Sequence, residues 1–140
     1  MVIVLDTNVL VAATLSPFGA SFQILAMIPQ RRFDLLLSVP LMLEYEEVLK
    51  RDDMRAKSHL TVEEVDVLLD MLAAVGTPRT PFFQWRPQLP DPDDEMILEL
   101  AANGRADAIF TVNTRDFLLA AGTFGVEVLR PGEFLRRLQS

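Results

Sequence analysis

The stretch Leu89 to Ala101, LPDPDDEMILELA, places Asp91, Asp93, Asp94 and Glu95 within five residues. Crowded carboxylates repel one another unless a cation, protonation or full solvation relieves them, and a divalent metal relieves them best. The same residues also read as the start of a helix, because Asp before an apolar run at helical spacing is an ordinary capping signal. Acids at matching places elsewhere bear on the choice. Asp6 ends the apolar run VIVL, Glu44 lies one turn into a helix that opens at Pro40, and Asp116 follows the apolar run AIFTV in the polar segment NTRD. Three or four carboxylates, with one histidine and no cysteine in the chain, form a hard oxygen site suited to Mg2+ or Mn2+ rather than to zinc. Such a site suits phosphoryl-group chemistry. One or two metals bind the scissile phosphate, lower the pKa of a bound water and stabilise the leaving oxygen, a pair standing about 4 Å apart.

The elements that must bring these acids together are legible from hydrophobic periodicity. Val2 to Leu5 is a short, β-branched apolar run with the look of a parallel strand buried on both faces, which sets Asp6 at its carboxyl end. Ligands in open parallel sheets bind beyond those ends. Thr7 or Asn8 is a candidate cap for the helix from Val9 to Leu15, with Asp6 either catalytic or a support for that cap. Ala20 to Ile28 reads as a second helix with Phe22, Leu25, Ala26 and Ile28 inward, and Phe33 to Ser38 as a second strand. The helix from Pro40 offers Leu41, Leu43, Tyr45, Val48 and Leu49 as apolar positions, while Glu46 and Glu47 read as solvated. Thr61 with Glu64 is a capping box that opens a helix to Gly76 carrying packing rather than chemistry. Thr77 to Pro90 holds four prolines and reads as an extended connection pinned by Phe82, Phe83 and Trp85, with a stacking platform for bases as the alternative. The helix from Pro92 has Met96, Ile97, Leu100 and Ala101 as its buried stripe, and Asp94 in its first turn faces the sheet edge. A third strand spans Ala108 to Val112, a short helix follows Asp116, a fourth strand spans Val126 to Leu129, and the last helix turns Phe134, Leu135 and Leu138 inward. Strands alternate with helices, so the expected fold is a single α/β domain over residues 1–140. It is a three-layer α/β/α sandwich with a mainly parallel central sheet and right-handed crossovers.

Composition narrows the classes. No apolar run approaches the roughly 20 residues of a membrane span, and the start lacks the features of a secretory signal, so a cytoplasmic protein with no membrane association is expected. The absence of cysteine removes disulfides and thiolate sites, and the lone His59 in a polar stretch argues against zinc sites and His-based triads. A formal charge of −7 argues against a broad basic surface for nucleic acid. The basic groups Arg31-Arg32, Lys50-Arg51 with Arg55 and Lys57, and Arg136-Arg137 read as solvated helix ends, with substrate contact as the alternative.

The segments LDTNVLVAA, the helix carrying Glu44, PDPDDEMILELA and ADAIFTVNTRDFL together resemble the four acidic blocks of PIN-domain ribonucleases, particularly the toxin components of bacterial toxin-antitoxin pairs. The resemblance runs from Val2 to about Leu138. It implies a PIN-like fold and a metal-dependent endoribonuclease that cleaves RNA, is held inactive by a cognate antitoxin protein, and forms a homodimer or higher oligomer. Carried over by block, Asp6 is the first acid, Glu44 the second and Asp94 the third, with Asp91 an additional acid beside the site. Where the family often has Asp after the Thr-Val pair, this chain has Asn113, and an amide contributes no charge. Asp116 then takes the fourth acidic role, oriented by Thr111, and Asn8 and Asn113 position substrate or ligands.

Three rivals stand beside this reading. The same fold can serve as a binding module, inactive or weakly active, whose acidic crevice receives a partner's basic residues. A DNA-directed nuclease of the same fold would want extra helices to grip a duplex. A phosphate-accepting response regulator would want a paired acid at the first strand and a late lysine, and this chain has no lysine after Lys57.

Overall fold

The computed structural model describes residues 1–80 and 92–139. Asp91 and the aromatic connection with Phe82, Phe83 and Trp85 lie outside the described residues. The chain runs β1 (Val2–Leu5), α1 (Thr7–Leu15), α2 (Ala20–Met27), β2 (Asp34–Leu37), α3 (Val39–Lys50), α4 (Asp52–Ser58), α5 (Val62–Val75), β3 (Thr77–Pro78), α6 (Pro92–Asn103), β4 (Ala108–Phe110), a 3-10 turn (Thr114–Asp116), α7 (Leu118–Thr123), β5 (Glu127–Leu129) and α8 (Pro131–Gln139).

The strands form one parallel sheet in the order β3-β2-β1-β4-β5. The crossovers from β1 step towards β2 and β3, whereas β4 leads the other way to β5. With right-handed connections this puts α1 to α5 on one face and α6 and α7 on the other, and α8 returns to pack on α2. The expected α/β/α layering is therefore present. β1 is central because every one of its positions is apolar, and Ile3, Val4 and Leu5 are fully buried between neighbouring strands and both helix layers. Phe33, Phe110 and Phe134 close the core near the β4-β5 side, their rings 4.9 to 5.8 Å apart, two of the three pairs meeting edge-on.

Several expectations are corrected. The second helix buries Ser21, Ile24, Leu25, Met27 and Ile28 and leaves Phe22 and Ala26 exposed, because helix-helix packing against α1 and α8 selects a stripe rotated from the one read. Leu43 and Leu138 are exposed, and α6 buries Leu98, Glu95 and Glu99 with Ile97, Leu100 and Ala101 while Met96 is only half-buried. α4 is a short additional helix where a polar connection was expected, closed by His59 in the left-handed conformation at φ 63°. β3 adds a fifth strand of two residues, paired to β2 as Leu36 to Thr77 and Leu37 to Pro78. A proline is tolerated there because the strand lies at the sheet edge. α3 is capped by Ser38, whose side chain accepts from the Leu41 amide, and α5 by the reciprocal Thr61 and Glu64 box, each cap worth about 1 kcal/mol.

Candidate active site at the carboxyl edge of the sheet

Leu5 on β1 pairs with Phe110 on β4, so Asp6 and Thr111, each one residue further, stand side by side beyond the strand ends. Ladder bonds fix both: the Asp6 amide donates to the Phe110 carbonyl at 2.9 Å, and the Thr111 amide to the Leu129 carbonyl at 3.0 Å. This is where the crossovers reverse direction, the switch point at which open α/β sheets leave a crevice for ligands.

Thr111 is fully buried and organises the junction. Its hydroxyl donates to Asp6 Oδ2 at 2.7 Å and accepts from Asn8 Nδ2 at 3.2 Å and from the Asn113 amide at 3.0 Å. Asn8 Oδ1 in turn accepts from the Val112 amide at 3.2 Å, tying the first turn of α1 to the chain leaving β4. Thr111 thus orients Asp6, where the sequence reading gave it to Asp116. Asp116 instead accepts from Asn113 Nδ2 at 2.5 Å, in the 3-10 turn. The amide in the place of an acid therefore engages the acid three residues on.

Asp6 is only 7% exposed, and burial raises its carboxyl pKa from the ordinary value of 3.8. The Thr111 hydroxyl, the Thr7 and Asn8 amides and the Asn8 side chain pull the other way without overcoming it. Asp6 occupies the N-cap position of α1 without a regular side-chain cap, and its carboxylate is oriented by Thr111 with the first-turn amides beside it. Neither Thr7 nor Asn8 is the cap. Thr7 donates its hydroxyl to Glu44 Oε2, so the residue after Asp6 holds the second acid. Tyr45, fully buried, donates to the Leu5 carbonyl at 2.5 Å. Desolvation, and then the negative charges of Asp6 and Glu44, push its phenol well above the ordinary value, so both carboxylates act on one hydroxyl. Thr7 and Tyr45 were missed as site residues in the sequence. The available signal was Tyr45 itself, because a tyrosine at a core position needs a partner for its hydroxyl.

Asp94 lies in the first turn of α6, half-buried, and α6 packs against β1, β2 and β4. Glu44 and Met96 line one hollow between α3 and α6, so the start of α6 flanks the Glu44 side of the crevice. The structure thus ties Asp6, Glu44, Asn8 and Thr111 into one network and places Asn113 and Asp116 in a second, linked through Thr111. The donors are all oxygens, which fits a hard divalent cation. Among the described residues no three acidic or histidine side chains are grouped to hold a metal ion. The fit is therefore to an open site, since Mg2+ keeps several waters and binds through one or two carboxylates plus substrate phosphate.

A PIN domain family model matches residues 2–115 of this sequence. No curated protein matches it. Among solved structures, the crystal structure of VapBC2 from Rickettsia felis bound to a DNA fragment from their promoter contains a similar chain. The TM-score is 0.63 at 14% identity, covering 93% of this chain and 98% of that one, which shows a shared fold. With a matched span that takes in β1, Asp6, Glu44, Asp94 and the Thr111 junction, this chain belongs to the PIN domain family.

Proposed function

We propose that this protein is a metal-dependent endoribonuclease, the cytoplasmic toxin of a toxin-antitoxin pair neutralised by a cognate antitoxin protein and assembled as a homodimer or larger. PIN domains are in general nucleases, and the structurally similar VapBC2 supports an antitoxin partner. The observation that carries the reading is the buried Asp6 carboxylate, fixed at the switch point by Thr111 with Glu44 tied to the adjacent Thr7.

In this reading Asp6, Glu44, Asp94 and Asp116 are the catalytic acids, and the ligands for Mg2+ or Mn2+ come from Asp6, Asp94 and Asp116, of which one or two would bind the ion directly and the rest through its waters. When bound, the ion would activate a water and stabilise charge on the phosphate. The chain's own residues set the geometry. Thr111 holds Asp6 through its one proton, Asn8 holds the loop after β4, Thr7 turns Glu44 towards the crevice, and Tyr45 fixes the end of β1. Asp91 and Asn113 complete the proposed positioning set.

The absence of a three-acid group among the described residues favours a second reading, a PIN-fold binding module whose acidic crevice receives a partner's basic residues. One experiment separates them: cleavage of a mixed single-stranded RNA set by wild type and Asp94→Asn in Mg2+, Mn2+ or excess EDTA. Metal-dependent cleavage that disappears in Asp94→Asn supports the nuclease. No cleavage by a folded, antitoxin-free protein with either metal supports the binding module.

A further inference from the structure

A ribonuclease with a net charge of −7 and a carboxylate crevice must bring a polyanion towards its own acids, so cations beside the crevice are needed to hold the strand. One cavity has that character. It measures 430 Å³ and lies where β4 and β5 end, its walls including Val112, Arg130, Arg136, Ser21 and Gly132. Val112 is the residue whose amide Asn8 holds, and Ala12 of the same cavity lies one helical turn along α1 from Asn8, so cavity and catalytic network share a wall.

Arg130 follows β5 directly, on the same carboxyl edge as Asp6 and Thr111, and Arg136 reaches back from the second turn of α8. The Arg136 Nη1 atom lies 3.7 Å from where a Cβ on Gly132 would stand, so its guanidinium lies over the start of α8, with the Ala20 methyl 3.9 Å from the same point. Neither arginine is engaged in an ion pair among the described residues, in contrast to Arg137, which is locked bidentately to Glu127 at 2.8 and 3.0 Å. The N-terminus of α2 also opens here: Gly19 at its cap supplies no side-chain hydrogen bond. Ser21 in that first turn is only 7% exposed and lines the cavity, and its hydroxyl has no hydrogen-bond partner among the described residues. Among the described residues Glu133 is the one acid in the wall, against two guanidiniums. Two planar forks, uncapped helix amides and an unpartnered hydroxyl that reaches the cavity are the donor set that recognises a phosphate.

We infer that Arg130, Arg136, Ser21 and the start of α2 form a phosphodiester-binding subsite that holds a neighbouring phosphate of the RNA strand while the scissile one lies at Asp6. The ligand assignment rests on the ribonuclease reading; the anion site does not. The test has two arms, with thermal melting to confirm that each variant folds. In EDTA, binding of a short single-stranded oligoribonucleotide is measured over a salt series for wild type, Arg130→Ala/Arg136→Ala, Ser21→Ala and Arg137→Ala. The double variant should bind about tenfold more weakly and lose about 0.7 from the magnitude of the log Kd against log salt slope, the loss of one single-strand phosphate contact. Ser21→Ala should weaken binding by a few-fold, and Arg137→Ala, which removes a neighbouring charge of α8 outside the cavity wall, should leave the slope in place. An unchanged slope in the double variant, or an equal loss in Arg137→Ala, overturns the subsite. In the second arm, inorganic phosphate is titrated while the Ser21 and Gly132 amides are followed by NMR. Both should shift in wild type and stay still in the double variant. Phosphate shifts without RNA binding support the anion site and overturn the ribonuclease reading, whereas no shift at either amide overturns the site whatever the RNA result.

Discussion

Asp6 and Asp116 both follow a strand at the carboxyl edge, and each accepts a side-chain hydrogen bond, from Thr111 and Asn113 respectively. They differ in what holds them. Asp6 continues the β-ladder through its own amide and is 93% buried, so its position is set by the sheet and its ionisation is costly. Asp116 sits in a three-residue 3-10 turn, partly exposed, where its neighbour's amide satisfies it. An acid carried on a ladder is preorganised before any ligand arrives, while an acid on a turn must be ordered by its ligand. Burying a carboxylate without a cation destabilises the fold, and a position that bears this cost is a candidate for function.

Four changes test the contrast. The largest effect belongs to Asp6→Asn. It keeps the shape and an acceptor for Thr111, and should remove RNA cleavage altogether while raising the melting temperature at neutral pH. The sign follows from the raised carboxyl: the folded state binds a proton more tightly than the unfolded chain, so stability falls as pH rises from the ordinary value of 3.8 through the raised one. In metal-free urea titrations across that window, Asp6→Asn should show a flatter pH dependence than wild type. Thr111→Val comes next. It removes the proton given to Asp6 and the acceptor used by Asn8 and Asn113, so stability should drop by about 1–3 kcal/mol. Cleavage should slow by about 10- to 100-fold as Asp6 loses its orientation, read by single-turnover kinetics. Tyr45→Phe leaves the Leu5 carbonyl without its partner in a closed site and should cost about 1–2 kcal/mol in chemical denaturation. Asp116→Asn should change stability by no more than about 0.5 kcal/mol and slow cleavage less than Thr111→Val does. Equal losses at the two acids would erase the distinction between ladder and turn.

Much of this was legible in the sequence, for a physical reason. A parallel strand buried on both faces leaves an unbroken apolar run, so VIVL placed Asp6, and the capping box at Thr61 and Glu64 placed α5. The sheet order could not be read so directly, because registry between β1 and β4 joins residues about a hundred positions apart. For the same reason the Thr111 bond to Asp6 was misassigned to Asp116, which is nearer in sequence. Rotational settings of helices were misread at Phe22 and Leu43, where residues apolar by type lie on solvent-facing stripes. β3 and α4 were missed because two residues with a proline, and seven mostly polar ones, carry no periodic signal. Arg136 and Arg137 look alike in sequence and differ only in what the fold puts beside them.

The most direct test of the account is a side-by-side measurement of single-turnover cleavage of one susceptible single-stranded RNA by wild type, Asp6→Asn and Asp116→Asn, in Mg2+ and in EDTA. The account predicts cleavage by wild type only with metal, none by a fully folded Asp6→Asn, and retained, slower cleavage by Asp116→Asn. Cleavage by Asp6→Asn at the wild-type rate would contradict it.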